Sequence, residues 1–221
     1  MASKAALIVV DFQNDFTPPH GALAVPHGTD VTDPINTLLT YPFALKVATR
    51  DFHPKTHISF AANHKDCQPF SSSIKVKNPN NETQAYEATL WPVHCVQGTW
   101  GVELVDGLNK DSLDTVVDKG KDERIEMYSA FHDPFRIEVS ALESLLKDKG
   151  VTAVYVVGLA ADFCVKATAE HALEAGFETY VVEEGTKPVM PEKWADVRQS
   201  MIDKGVRMVS MHDEEVRRVM Q

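Results

Sequence analysis

Residues 151–176, VTAVYVVGLAADFCVKATAEHALEAG, constrain the chain more than any other stretch. The near-continuous apolar run Val154-Tyr155-Val156-Val157 suits a strand buried on both faces, as strands of parallel sheets are. From Val165 to Leu173 the pattern turns helical, and Gly176 supplies a C-terminal stop. Cys164 falls between the two, at or just inside the first helical turn. Free amide N–H groups and the positive end of the helix dipole favour a thiolate at such a place. A cysteine at a strand-to-helix turn is therefore a candidate nucleophile. It is equally readable as a small residue packing the helix start, and this stretch alone leaves both readings open.

The rest of the chain repeats the same alternation. Apolar strands are expected at 5–10, 43–49, 113–117, 178–182 and 206–209. Helices are expected at 33–39, with Pro34 in the first turn, at 137–149, stopped by Gly150, and at 192–204, followed by a final charged helix. Between about 56 and 101 the pattern dissolves into loop signals: Pro69, Ser71 to Ser73, and Asn78-Pro79-Asn80-Asn81. So long an irregular stretch is usually functional or an excursion from the core. Strands alternating with helices imply βαβ units. The expected fold is a three-layer α/β/α sandwich around a mostly parallel, about six-stranded sheet. It is read as one domain over residues 1–221, with the excursion at about 56–101.

With 43% hydrophobic and 24% charged residues the chain is ordinary for a globular protein, and its formal net charge is −10. No basic cluster stands out, which argues against nucleic acid and anionic membranes as partners. The opening apolar stretch is too short for a signal peptide and runs straight into Asp11. No run of about twenty apolar residues is present to span a bilayer. Cys67, Cys95 and Cys164 are an odd set that cannot all pair within one chain. That points to a reducing compartment, the cytoplasm first, with nucleus or peroxisome left open. A homo-oligomer is neither required nor excluded by the sequence.

In parallel α/β sheets ligands bind at the carboxyl ends of the strands. Asp11, Asp51, His53, Lys119 and Cys164 each fall at or just past such an end. Asp51 and His53 stand two apart, so an extended backbone points both side chains the same way, and Pro54 supports that conformation. One oxygen and one nitrogen suit Zn²⁺, Mn²⁺ or Fe²⁺, although a hydrogen-bonded surface pair has the same signature. A third ligand must come from elsewhere; His94 is the choice, with His57 a further ligand or a supporting neighbour. Histidines 20, 27, 64, 132, 171 and 212 read as solvated or packed. Lys119 reads either as a lysine reaching solvent or as an ammonium that depresses the Cys164 thiol. In the second case Asp11 takes the thiol proton and later delivers it to a leaving group. Cys95 competes as nucleophile from a Pro-interrupted loop, and Cys67 looks incidental.

These residues sit in recognisable motifs: ALIVVDFQNDF at 6–16, DFHP at 51–54, HISF at 57–60, LWPVHC at 90–95, DKG at 118–120, YSAF at 128–131 and GLAADFCV at 158–165. Together they resemble nicotinamidases of the isochorismatase-like cysteine hydrolase superfamily, the fungal enzymes most. The resemblance implies a catalytic triad of Asp11, Lys119 and Cys164, and one divalent metal, zinc first with manganese or iron as alternatives, held by Asp51, His53 and His94. It implies an oxyanion hole from the N–H groups of Ala160 and Cys164, with a cis peptide between Leu159 and Ala160. Phe12, Trp91 and Tyr128 would wall the substrate ring, and Leu23 would close the pocket. The implied reaction is hydrolysis of nicotinamide to nicotinate and ammonia through a Cys164 thioester, in NAD salvage, with pyrazinamide a further substrate. Another amidase or isochorismatase-type hydrolase, or a non-catalytic binding relative, are the alternatives.

Overall fold

The computed structural model describes residues 4–220. Strands β1 (Ala5–Val10), β2 (Leu45–Asp51), β5 (Thr115–Lys119), β6 (Ala153–Leu159), β7 (Glu178–Lys187) and β8 (Arg207–Val209) form one sheet in the order β5-β2-β1-β6-β7-β8. Every pairing in that sheet is parallel. Strands β3 (Ser73–Asn78) and β4 (Asn81–Thr89) make a separate antiparallel hairpin. The helices are α1 (Thr32–Leu39), α2 (Leu142–Asp148), α3 (Lys166–Glu174), α4 (Trp194–Lys204) and α5 (Glu214–Arg217).

Alternation along the buried strands sorts the helices into two layers. Leu7 and Val9 of β1, with Tyr155 and Val157 of β6, pack against Ile35 and Leu38 of α1 and Val216 of α5. Ala6, Ile8 and Val10, with Val154 and Val156, pack against Leu142 and Leu146 of α2, Ala169 and Ala172 of α3, and Met201 of α4. Because successive strand side chains point to opposite faces, a continuous apolar run feeds both cores at once. The expected α/β sandwich is the observed architecture. Chain order reverses direction across the sheet between β1 and β6. Such a reversal opens a crevice at the strands' carboxyl ends, where Asp11 and the Cys164 turn emerge.

Three local expectations change. The segment 56–101 is not irregular throughout, since it contains the β3–β4 hairpin. Ile74 and Val76 alternate there with exposed polar neighbours, and Asn78-Pro79-Asn80-Asn81 is its turn. The helix expected at 137–149 begins only at Leu142. The buried Asp133 carboxylate accepts the N–H groups of Phe135, Ile137 and Glu138 at 2.5–2.6 Å, and the Ser140 hydroxyl accepts that of Leu142 at 3.0 Å. A side chain that captures backbone donors this way competes with helix. Strand β7 runs on to Lys187, with its register against β6 shifting between Val156 and Gly158.

Gly158 stands beside Val10 at the crevice, with φ +108°, and a Cβ added there would lie 2.0 Å from the Val10 carbonyl oxygen. Both the conformation and the contact exclude a side chain. Gly158→Ala is expected to cost about 4 kcal/mol or more, a large part of an ordinary domain's stability. The measurement is the thermal midpoint of the purified variant, or its soluble yield; an unchanged midpoint would refute the close approach of β1 and β6.

Candidate active site

The site begins at the end of β1, where Asp11, Gln13 and Asp15 each have a separate task. Asp11 turns the chain with φ +46°, a region that Asp tolerates better than most residues. Its N–H meets the Thr49 hydroxyl at 3.1 Å, and that hydroxyl donates to Asp11 Oδ1 at 2.6 Å. The Gln13 amide accepts the Asp51 N–H at 2.8 Å and donates to the Asp51 carbonyl at 2.9 Å, fastening the end of β2 beside β1. Asp15 accepts the Cys95 N–H at 2.7 Å, holding the loop that carries His94.

Lys119, at the end of β5 and fully buried, ties the centre together. Its ammonium lies 3.0 Å from Asp11 Oδ2 and 3.6 Å from Cys164 Sγ, donates to the Met127 carbonyl at 3.1 Å, and bonds Asp51 Oδ1. Asp11 Oδ2 is buried and receives no well-directed hydrogen bond from the described residues, which leaves it able to accept a proton. Cys164 stands in a single wide turn, Ala161–Val165, that precedes α3. The Ala160 carbonyl closes this turn by accepting the N–H groups of Phe163 and Val165, both at 3.1 Å. The peptide between Leu159 and Ala160 is cis.

On the other side of Asp51 is a donor set. Asp51 Oδ2 is 3.6 Å from His53 Nε2 and 3.9 Å from His94 Nε2. His53 gives Nδ1 to the Gly120 carbonyl at 2.7 Å and His94 gives Nδ1 to the Pro92 carbonyl at 2.8 Å. Each ring's Nε2 lone pair therefore faces Asp51, with a backbone carbonyl fixing the tautomer, the arrangement metal-bound imidazoles take. His53 Nε2 is buried without a hydrogen-bond partner among the described residues, and the three ligand atoms lie within 4.8 Å of one another. These residues fit a divalent ion. His57 does not join them: its Nδ1 is 2.7 Å from the Ser59 hydroxyl and its Nε2 3.0 Å from the Ile125 carbonyl, while its ring stacks on His53 at 4.0 Å.

A small cavity of about 30 Å³ opens over both groups. Leu23, Asp51, Trp91, His94, Tyr128, Ala160 and Cys164 line it. Phe12 does not: its ring is fully buried in the core with Leu7 and Val9, because its neighbour Asp11 takes the direction that faces Lys119. Phe16 and Phe163 supply aromatic wall instead. Phe163 meets Trp91 edge-on at 4.8 Å, and Trp91 Nε1 donates to the Tyr128 hydroxyl at 3.0 Å.

Residues 5–213 match the profile of the isochorismatase domain family. The chain belongs to the isochorismatase family. Within it, the chain is 40% identical over 212 residues to the nicotinamidase of Saccharomyces cerevisiae, covering 92% of this chain and 98% of that one. The crystal structure of the yeast nicotinamidase bound to the inhibitor nicotinaldehyde superposes with a TM-score of 0.88 at 38% identity, covering 93% of this chain and 99% of that one. The pyrazinamidase of Pyrococcus horikoshii in complex with zinc superposes with a TM-score of 0.73 at 34% identity, covering 94% and 99%.

In this isochorismatase-family site the charges decide which groups hold protons. Burial pushes the Asp11 carboxyl up to about 6 against the pull of Lys119, with Asp51 adding to the rise. Burial opposes charge on Lys119, but Asp11 and Asp51 outweigh it and hold the ammonium well above its usual range. For Asp51, burial likewise acts against ionisation, and Lys119 with His53 overcomes it, so its carboxyl lies below the usual range. Cys164 departs from expectation. Burial pushes its thiol well above the usual range, Lys119 pulls it down less, and Asp11 and Asp51 push it up again. One ammonium already answers two carboxylates, so a thiolate would be an uncompensated buried charge. Taken without an ion, these groups favour a thiol beside the Asp11 carboxylate.

Several residues in or around the cavity carry weak signals or none in the sequence. Glu126 lines the cavity, and burial raises its carboxyl above the usual range. Asp162 accepts the N–H groups of Val189 at 2.9 Å and Met190 at 2.8 Å, tethering the segment that brings Val189 to the cavity. An acid within the apolar run Ile125 to Tyr128, and another next to the cysteine turn, were the available signals. Tyr86 of β4 carried none. Its hydroxyl donates to the Glu126 carbonyl and accepts the Glu126 N–H, both at 3.0 Å, so the hairpin braces the cavity wall. Tyr86→Phe leaves both backbone groups unpaired and is expected to cost about 1–3 kcal/mol. Denaturant titration reads this directly; a loss below about 0.5 kcal/mol would mean that the brace carries no load.

Proposed function

We propose that this chain hydrolyses nicotinamide to nicotinate and ammonia, in NAD salvage, through a thioester on Cys164. The observation that carries this reading is the double use of Asp51. One oxygen bonds the Lys119 ammonium beside the sulfur, and the other faces His53 and His94. A nucleophile for the carboxamide and a donor set for the ring thus share one aromatic-walled cavity. Asp51, His53 and His94 would hold a divalent ion, which would supply Lewis acidity on the ring side of the cavity. Zinc is the ion we propose, as the borderline choice for two imidazoles and a carboxylate; manganese and iron suit the same donors.

The chain's own groups carry the chemistry. Asp11 takes the Cys164 proton as the sulfur attacks the carboxamide carbon. The N–H groups of Ala160 and Cys164 receive the developing oxyanion. Asp11 then delivers the proton to the amine, which leaves as ammonia, and the sulfur retains the nicotinoyl group. Water, deprotonated by Asp11, cleaves the thioester and releases nicotinate while the proton returns to sulfur. Lys119 holds Asp11 and Asp51 in place and keeps a positive charge beside the sulfur throughout. Trp91, Tyr128, Phe16 and Phe163 enclose the ring, and Leu23 closes over it. Free cysteines at 67, 95 and 164 agree with a reducing compartment, for which the cytoplasm is our assignment. Among the described residues no helix is long and apolar enough to cross a membrane.

The test is ammonia release from nicotinamide, pyrazinamide, benzamide and acetamide. The two amides with a ring nitrogen at the right position are expected to turn over, with benzamide and acetamide far behind. Turnover of benzamide equal to nicotinamide would remove the ring-nitrogen contact, and no release from nicotinamide would remove the substrate assignment.

A further inference from the structure

A second group of side chains of metal-ligand type lies at the far end of α3 from Cys164. His171 and Glu174 sit three apart on the last turn of α3, and His132 comes from the segment that follows Tyr128. Residues three apart on a helix share a face. The His132 and His171 rings stack at 3.9 Å and 20°. His132 is buried, and its Nδ1 lies 2.7 Å from the Asp133 carbonyl, so that nitrogen is the donor and Nε2 keeps its lone pair. His171 Nδ1 is buried with no hydrogen-bond partner among the described residues. All three side chains offer ligand atoms within 4.8 Å of one another, beside a small cavity that Arg136 and Glu143 also line.

We propose that His132, His171 and Glu174 form a second divalent-metal site, separate from the active site and suited to Zn²⁺ or a similar borderline ion. Two imidazoles and one carboxylate are a full set of three protein ligands, and one ring already has the backbone carbonyl that orients metal-bound histidine. Bonds of about 2.0–2.2 Å bring tetrahedral ligand atoms to within about 3.5 Å of each other. Glu174 is exposed and His171 half-buried, so both have room to turn inward. The surrounding charges permit a cation. Glu143 pairs with Lys147 at 2.5 Å, and Glu170 with Lys166 at 2.7 Å and Lys204 at 2.9 Å. Arg136 is the opposing charge, and it is exposed and free to swing into solvent.

The ion would clip the end of α3 to the segment that follows Tyr128. That segment already meets α3 where the Ala130 N–H reaches the Thr168 hydroxyl at 2.9 Å. A ligand that binds the folded chain alone stabilises it by mass action, so Zn²⁺ beyond the first equivalent should raise the thermal midpoint.

The experiment is equilibrium dialysis of the metal-loaded enzyme against Zn²⁺, with metal counted per chain and the thermal midpoint followed. The unaltered chain is expected to take up a second equivalent. Glu174→Gln, an exposed and conservative change, and His171→Gln are each expected to weaken that second equivalent at least tenfold and abolish its thermal shift, while the first equivalent remains. A single equivalent in the unaltered chain would overturn the proposal. So would a second equivalent that binds either variant as tightly as the unaltered chain.

Discussion

Cys164→Ala is expected to lower kcat for nicotinamide by about 10⁴-fold or more while leaving metal content at its original level. No neighbouring group can take over the attack. Cys95 is buried with its Sγ 3.8 Å from the Gly101 carbonyl, and burial pushes its thiol well above the usual range. Lys119 is held as an ammonium by two carboxylates and has no lone pair to offer. The donors Asp51, His53 and His94 do not depend on the sulfur, because carbonyls of Gly120 and Pro92 fix both rings. The variant therefore separates the two halves of the site. Ammonia-release kinetics and metal analysis on the same preparation check it. Residual activity near that of the unaltered chain would exclude the thioester route.

The second large effect is expected at His53. His53→Ala removes one of three ligands from a set with no spare: His57 is committed to Ser59 and Ile125. Outer-shell changes already cost metal sites about 10–100-fold in affinity, so loss of a direct ligand is expected to cost at least about 100-fold. KM for nicotinamide should rise at least tenfold, because ring orientation is lost while Asp11, Lys119 and Cys164 stay together. Added metal in excess should recover part of the activity. Stability will fall as well, since the ring stacks on His57 at 4.0 Å and packs beside Gly120, where φ is +67° and a Cβ would come 2.6 Å from His53 Cε1. The thermal midpoint therefore has to be measured alongside. A variant that keeps one equivalent of metal and its KM would show that Asp51, His53 and His94 are not the metal site.

Two of the strands that carry the chemistry were legible as apolar runs that stop at a charged residue: Val10 before Asp11, Val117 before Asp118 and Lys119. Their carboxyl ends had to gather on one edge once the sheet was parallel, so the Asp11, Asp51, Lys119 and Cys164 cluster followed from element order. What stayed hidden depends on groups far apart in sequence. The protonation of Cys164 is set by burial and by charges at 11, 51 and 119, and the local helix-start argument pointed the other way. Phe12 read as a ring wall because of its motif, yet the direction taken by Asp11 sends it into the core. Asp133 took backbone donors that a hydrophobic pattern assigned to a helix. The hairpin at 73–89 did alternate, but its lysines and asparagines masked the period as loop.

The most direct test of nicotinamide hydrolysis at a metal-assisted cysteine site is ammonia release from nicotinamide by one preparation in three states: as purified, after chelation, and after return of Zn²⁺, Mn²⁺ or Fe²⁺. Release that falls on chelation and returns with metal is the predicted result. Full release from fully chelated protein, or none in any state, would contradict the account.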